Sequence, residues 1–351
     1  MRMVTVGIDA YKRTHTAVAI DEAGRKLGEK RTSSTTTEAN LELLRWADSV
    51  DLERRFAVED CRHLSRRLEA DLLAAGEEIV RVPPKMMAHA RDAARTYGKS
   101  DPIDALAVAR AALREPNLPI ARLDGPSRDL RLLVDHREDL VRERVAQINR
   151  LRWHLHEIDP SWDPAPRALV RLCHLDQTAA RLHPMAGTVA WIARELVGRI
   201  RELTQAANAL ERQITVAVSG LAPALLDLAG VGALTAAKIL AETADVRRFR
   251  SKDAYARHNG TAPLPVWSGN TVRHRLSRTG NRQLNAAIHR IAVTQMRMHD
   301  QAKIYLEHRI AMGNTKTEGI RALKRKLSDV VFRALLVDAD TAAEASFSRA
   351  A

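Results

Sequence analysis

Two long stretches of this sequence carry apolar residues at a spacing of seven, and a chain that must bury such stripes cannot be one α/β core alone. The first opens at a turn and N-cap, Gly125, Pro126 and Ser127, and closes at Asp159 and Pro160. Val134, Val141, Ile148 and Leu155 form one register and Leu130, Leu151 and Ile158 its companion, with Arg137 and Arg144 interrupting the seam. A connector with Pro160, Pro164, Pro166 and Pro184 leads to the second, where Val189, Leu196, Leu203 and Leu210 share a register beside Ile200, Ala207 and Ile214. Two such helices predict an antiparallel hairpin arm, its stripe buried against itself or a second copy of the chain; a helical layer within one protomer is the equal alternative. The full 351 residues give room for two or three domains, expected at 1–124, 125–219 and 220–351.

Residues 1–124 alternate strand and helix. Val4, Val6 and Ile8 alternate with Thr5 and Gly7, and residues 15–20 repeat the pattern. A third strand is expected near 30–33, a helix over 37–49, a fourth strand over 55–59, a helix stopped by Gly76, and a fifth strand over 78–82. This order predicts an α/β domain of the ribonuclease H kind. No glycine-rich phosphate loop follows the first strand, which speaks against a doubly wound nucleotide-binding sheet. Residues 220–351 read as mainly helical. The Leu228–Leu234 segment has two readings: the turn of a helix-hairpin-helix whose amides meet phosphates, or glycines that cap a helix and permit close packing.

The 56 Lys and Arg against 43 Asp and Glu leave a net charge of +13, which favours a polyanionic partner, nucleic acid before membrane. With aromatics at 4%, base stacking is not the main mode of recognition, and 45% hydrophobic residues exclude a largely disordered chain. Cys61 and Cys173 make no disulfide framework and no zinc spacing, so a reduced, cytoplasmic setting is expected. The longest apolar stretch, 216–241, is interrupted by Gly220, Pro223, Asp227, Gly230, Gly232 and Lys238, and the N-terminus lacks the features of a signal peptide; no membrane association is expected.

Four carboxylates stand out. Asp9 and Glu59 close predicted neighbouring strands, while Asp101 and Asp104 lie three apart at a helix start and share a face. Hard Mg²⁺ takes carboxylate oxygens, and paired ions stabilise the attacking and leaving oxygens of a phosphodiester. Each acid also has a structural reading. Asp101, Pro102 and Asp104 suit an N-cap, a first-turn proline and a capping acid; Asp9 suits a turn; Asp60 rivals Glu59. The second chemical candidate is Ser268. It lies within a segment, 247–290, that holds ten Lys or Arg against Asp253 alone, a charge that concentrates a sugar-phosphate backbone. Arg273 and Arg275 are placed to stabilise charge developing at the serine, although Ser-Gly also reads as a plain loop turn. Ser277 reads as a turn and N-cap before a helix over 282–298.

Taken together, Val6-Gly7-Ile8-Asp9 with Lys12, Val58-Glu59, Lys99 to Ala105 with Asp101 and Asp104, Leu228 to Leu240, and Ser268-Gly269 with Leu276 to Asn281 resemble the insertion sequence 110 family of DEDD transposases. The resemblance implies a RuvC-like domain, a coiled-coil arm and a serine-bearing transposase domain. It further implies that Asp9, Glu59, Asp101 and Asp104 bind Mg²⁺, and that Ser268 is a nucleophile forming a covalent bond to DNA. Donor and target DNA, a bridge RNA encoded in the element, and a homo-oligomer, dimer or tetramer, are the implied partners. Lys12, Lys99, Arg273, Arg275, Arg278 and Arg282 are the implied nucleic-acid contacts. The chain departs from the family where many members carry Ala-Thr-Gly after the glutamate; here Asp60, Cys61, Arg62 and His63 follow. The alternatives are a junction resolvase or nuclease that uses water, and a DNA-binding protein without chemistry.

Overall fold

The structure is a computed structural model that describes residues 3–60, 64–83, 86, 100–115, 118, 120–121, 125–268, 271–275 and 280–350, with backbone alone at 266, 268, 271–275 and 345–350. It divides into two compact units, Met1–Leu123 and Asp124–Ala351.

In the first unit, β1 (Val4–Ala10) pairs antiparallel with β2 (His15–Ile20), and β2 with β3 (Lys26–Arg31). On its other side β1 pairs parallel with β4 (Arg54–Glu59), and β4 with β5 (Ile79–Val82). The order β3-β2-β1-β4-β5 makes a mixed sheet, antiparallel through β3, β2 and β1 and parallel through β1, β4 and β5. The third strand begins earlier than the sequence suggested. Asp21 accepts from the amides of Ala23 and Arg25, and Gly24 adopts φ 75°, so the turn closes at once and pairing starts at Lys26. Its mostly polar, mostly exposed residues carry little apolar signal.

Strand alternation gives the sheet two faces. Val4, Val6, Ile8, Ala17, Ala19, Phe56 and Val58 pack on Leu43 and Ala47 of α1 (Thr37–Val50) and Leu68 and Leu72 of α2 (Arg66–Ala74). The opposite face is covered by α3 (Asp101–Arg114), where Ala105 and Ala109 meet Val18 and Ile20, and Val108 and Ala112 meet Ala57 and Val80. Small residues at 105, 109 and 112 draw this helix close, and Gly7 lies directly beneath it.

His15 sits at the start of β2, 0% exposed, with neither ring nitrogen hydrogen-bonded among the described residues. Burial pushes its pKa down to about 4. The unfolded chain therefore binds a proton between about pH 6.5 and pH 4 that the folded chain refuses, so stability rises with pH across that window and is level above it. Urea unfolding is expected to show a loss of about 2 kcal/mol between pH 6.5 and pH 4.5, allowing for partial screening, and His15→Leu is expected to remove that slope.

In the second unit, α4 (Gly125–Ile158) and α6 (Thr188–Leu221) run antiparallel, shown by the pairings of Arg137 with Glu211, Arg144 with Thr204 and Glu143 with Arg199. The arm's stripe is thus buried against itself. The companion register of α6, Ile200, Ala207 and Ile214, is fully buried with Leu203, whereas Val189, Leu196 and Leu210 are half-buried. At the far end Leu151 and Leu155 pack with Leu175 and Leu182 of α5 (Leu172–Leu182) and with Val197 of α6. Mid-arm, the seam is polar. Arg137 meets Glu211 at 2.6 Å, and the pKa of Arg144 is lowered by burial and by neighbouring Arg137.

The near end of the arm joins the remaining helices: α7 (Pro223–Leu226), α8 (Ala233–Thr243), α9 (Lys252–His258), α10 (Arg282–Met298), α11 (Asp300–Ala311) and α12 (Lys316–Ala350). Leu130 and Val134 of α4 enter one core with Ile239, Tyr255, Ile288, Leu327 and Val331. Lys238 of α8, almost fully buried, reaches Asp135 and Glu138 of α4 at 3.3 and 2.9 Å, which fixes α8 along the arm's base. Gly230 takes φ 82° and packs against Thr294 and Gln295, and Gly232 holds the N-cap position of α8, so each glycine has a structural role. Among the described residues no helix is long and apolar enough to cross a membrane.

Candidate catalytic carboxylates and serine hairpin

Asp9 lies opposite Thr16, and Thr16 opposite Arg31, in one row across three strands. On the other side Ile8 pairs with Val58, so Asp9 and Glu59 stand one step beyond, at the same end of adjacent parallel strands. Both alternate onto the face that α3 covers, because Ala57 faces α3 while Ile8 and Val58 face α1 and α2. Asp60 donates its amide to the Val82 carbonyl at 2.9 Å, continuing the β4–β5 ladder, and so alternates to the other side. The face of the sheet thus favours Glu59 over its neighbour.

The start of α3 reaches the same end. Arg31, in the row of Asp9, forms an ion pair with Asp101 at 3.4 Å. Asp104 stands one turn on and is 6% exposed. Ser100, with extended φ and ψ, holds the cap position, so Asp101 is the first helical residue and not the N-cap its spacing suggested. The topology therefore brings all four acids to one end of the sheet on one face. Among the described residues no three Asp, Glu, His or Cys stand close enough to hold an ion jointly. The donors suit a hard divalent ion in kind, and Arg31 supplies the compensating charge at Asp101. Nothing in the sequence pointed to Arg31; its role comes from strand register.

In the second unit the expected helical texture is broken by a hairpin, β6 (Leu264–Ser268) with β7 (Thr271–Arg275). Ser268 pairs with Thr271 at its closed end, Arg273 is opposite Val266, and Arg275 opposite Leu264. Gly-Asn between two β-favouring runs was the signal that could have revealed it. Lys12 is exposed just past β1, and Arg282 is exposed at the first turn of α10. Lys99 and Arg278 lie outside the described residues, as does Ser277; the cap of α10 is Asn281, whose side chain accepts from the Leu284 amide.

The hairpin is pinned at both roots. At its entry Asn259, 0% exposed, accepts from the amide and hydroxyl of Thr261. At its exit Gly280 crosses Gly260 so closely that a Cβ would lie 2.4 Å from the Gly260 nitrogen, and the Asn281 amide donates to the His258 carbonyl at 2.6 Å. The Asn281 side chain also donates to Glu242, whose other oxygen takes Arg131 of the arm at 2.9 Å. A single buried carboxylate thereby ties the exit of the serine hairpin to the arm's base.

Each of these assemblies falls in a region shared with known proteins. Residues 6–160 match the family described as Transposase, the DEDD transposases of IS110 elements, and residues 222–307 match the Transposase IS116/IS110/IS902 family. The chain belongs to the IS110/IS116/IS902 family of transposases. This transposase is 28% identical over 381 aligned residues to the insertion element IS116 uncharacterized 44.8 kDa protein of Streptomyces clavuligerus, covering 95% of this chain and 94% of the other. It is 25% identical to the insertion element IS900 uncharacterized 42 kDa protein of Mycobacterium paratuberculosis, covering 95% of each. Among solved structures, T. thermophilus RuvC in complex with a Holliday junction substrate aligns at TM-score 0.27 and 15% identity, over 34% of this chain and 99% of that one. The first matched region contains all four acids of the transposase, and the second contains Ser268.

Proposed function

We propose that this transposase moves its insertion element through a covalent serine–DNA linkage, with Asp9, Glu59, Asp101 and Asp104 as the Mg²⁺ ligands and Ser268 as the nucleophile. The observation that carries the reading is the placement of the four acids at one end of the sheet, on the α3 face, in a family whose DNA chemistry needs a phosphate held and charge-neutralised. Bound Mg²⁺ would neutralise the scissile phosphate and stabilise the charge that develops there. Asp104, buried in the first turn of α3, and Asp9, on a central strand, hold their carboxylates on rigid elements, as preorganised binding requires. The Oγ of Ser268 forms a bond to phosphorus as the bond from phosphorus to the leaving strand's oxygen breaks, and that oxygen takes a proton. Attack by a hydroxyl of the incoming strand reverses the step and frees the serine. No energy-rich cofactor is consumed, since one phosphoester replaces another.

By resemblance to the family, a bridge RNA selects donor and target DNA, and a dimer or tetramer assembled through the arms brings acids and serine from different copies to one phosphate. The site of action is the cytoplasm, where the element's DNA resides. The test mixes supercoiled donor and target DNA, element-derived RNA and Mg²⁺ with the chain. Denaturing gels are expected to show a protein–DNA adduct with the wild type and none with Ser268→Ala. Wild-type cleavage by that variant without an adduct would assign the attack to water and overturn the serine step.

A further inference from the structure

We infer that the groove between α10 and α12, with Asn285 and His289 on one wall and Arg321 and Lys324 on the other, is a second nucleic-acid site that takes a backbone phosphodiester. It stands on its own observations and does not depend on Ser268 being the nucleophile. Asn285 and His289 are four apart on α10, and Arg321 and Lys324 three apart on α12, so each pair shares a helix face. The Lys324 ammonium donates to the Asn285 side-chain oxygen at 2.5 Å, which brings the two faces together.

The floor is rigid. Asn285 donates to the Asn259 carbonyl at 2.8 Å, and Asn259 donates to the Ser328 hydroxyl at 2.8 Å, with Asn259 and Ser328 both 0% exposed. Asn259 also anchors the entry of the serine hairpin through Thr261, so the groove and the hairpin share that buried residue. Arg282, exposed one turn before Asn285, extends the cationic line toward the hairpin's exit.

Charge identifies the ligand. Among the described residues no carboxylate pairs with His289, Arg321 or Lys324. The acids nearest in sequence on α12 are engaged, Glu318 with Thr315 and Asp329 with Arg325, and Asp253 of α9 also meets Arg325. Lys324 is 8% exposed, and burial together with Arg321 pushes its pKa down to about 8. His289 is lowered by burial and by Lys324. Arg321 and Lys324, like charges held together without an acid, are stabilised when an anion enters, while His289, held toward its neutral form, offers a ring N–H donor, and a phosphodiester is the anion a transposase meets in quantity. Arg321 and Lys324 lie beyond the matched region 222–307, on a helix that neither family match covers.

The test measures fluorescence anisotropy of the full chain on short duplex DNA, single-stranded DNA and RNA at two salt concentrations. Arg321→Ala and Lys324→Met are each expected to weaken binding to at least one of these about tenfold, and Arg321→Ala to reduce the salt slope by about one. Lys324→Arg is expected to retain most of the affinity, and Arg142→Ala, an exposed arm residue paired with Asp139, sets the background for loss of one charge. Loss confined to RNA assigns the groove to RNA, and loss confined to DNA assigns it to DNA. Should Arg321→Ala, at an exposed position, bind all three probes within about twofold of wild type with an unchanged salt slope, the site is refuted, whatever Lys324→Met does to folding.

Discussion

Asp104→Asn is expected to slow DNA strand cleavage by about a thousandfold while leaving DNA affinity within about twofold of wild type. Asparagine keeps the shape of the side chain in the first turn of α3 and removes only its charge, at a position 6% exposed and therefore poorly compensated by water. If the four acids hold Mg²⁺, losing one charge weakens the ion and with it the stabilisation of the leaving oxygen, about 4 kcal/mol for a thousandfold. DNA affinity comes mainly from Lys and Arg and does not register the change. Asp9→Asn is expected to follow the same pattern. Gel-based cleavage and anisotropy on the same preparations check both parts, and cleavage by Asp104→Asn at the wild-type rate would remove the acid from the catalytic set.

Gly7→Val is expected to destabilise the first unit by more than about 4 kcal/mol, enough to unfold it at ordinary temperature. A Cβ at this position would lie 2.4 Å from both the Ala105 carbonyl oxygen and the Ala109 nitrogen, and 2.6 Å from the Ala109 Cβ. Two of these are backbone atoms of α3, which cannot rotate aside, so the helix must lift from β1 and abandon Ala105, Val108 and Ala109 in the core. The same lift would carry Asp101 and Asp104 away from Asp9. Gly28→Ala on β3 is the control: its Cβ would meet only the Trp46 ring, at 3.4 Å, and a change below about 1 kcal/mol is expected. Urea unfolding followed by circular dichroism reads both variants, and a Gly7→Val chain as stable as the control would show that α3 does not need its close approach.

Much of the architecture is written in local sequence pattern. Alternation at Val4, Val6 and Ile8 marked β1, and the heptads marked the arm, because each pattern is local and set by backbone period. The strand Lys26–Arg31 was misplaced, since a strand of mostly polar residues is defined by its turn and partner and not by its own composition. The hairpin around Ser268 is faint in the sequence because five-residue strands flanked by helices leave only a weak periodic signal. Helix capping shows the same limit: Asp101 and Ser277 were plausible caps, but Ser100 and Asn281 hold those positions, one residue or a few away.

Of the candidate site, the identities of the acids were legible and their company was not. Sequence by itself determined which residues carry charge, that β1, β2, β4, β5 and the two arm helices form, and that Asp101 and Asp104 share a turn. Only the tertiary structure decided that Asp9 and Glu59 end on the α3 face, that Arg31 meets Asp101, and that Arg131, Glu242 and Asn281 join the arm to the serine hairpin. The reason is physical: periodicity and capping act over a few residues, whereas strand register and helix packing bring together groups far apart in the chain, such as Arg131 and Glu242, 111 positions apart.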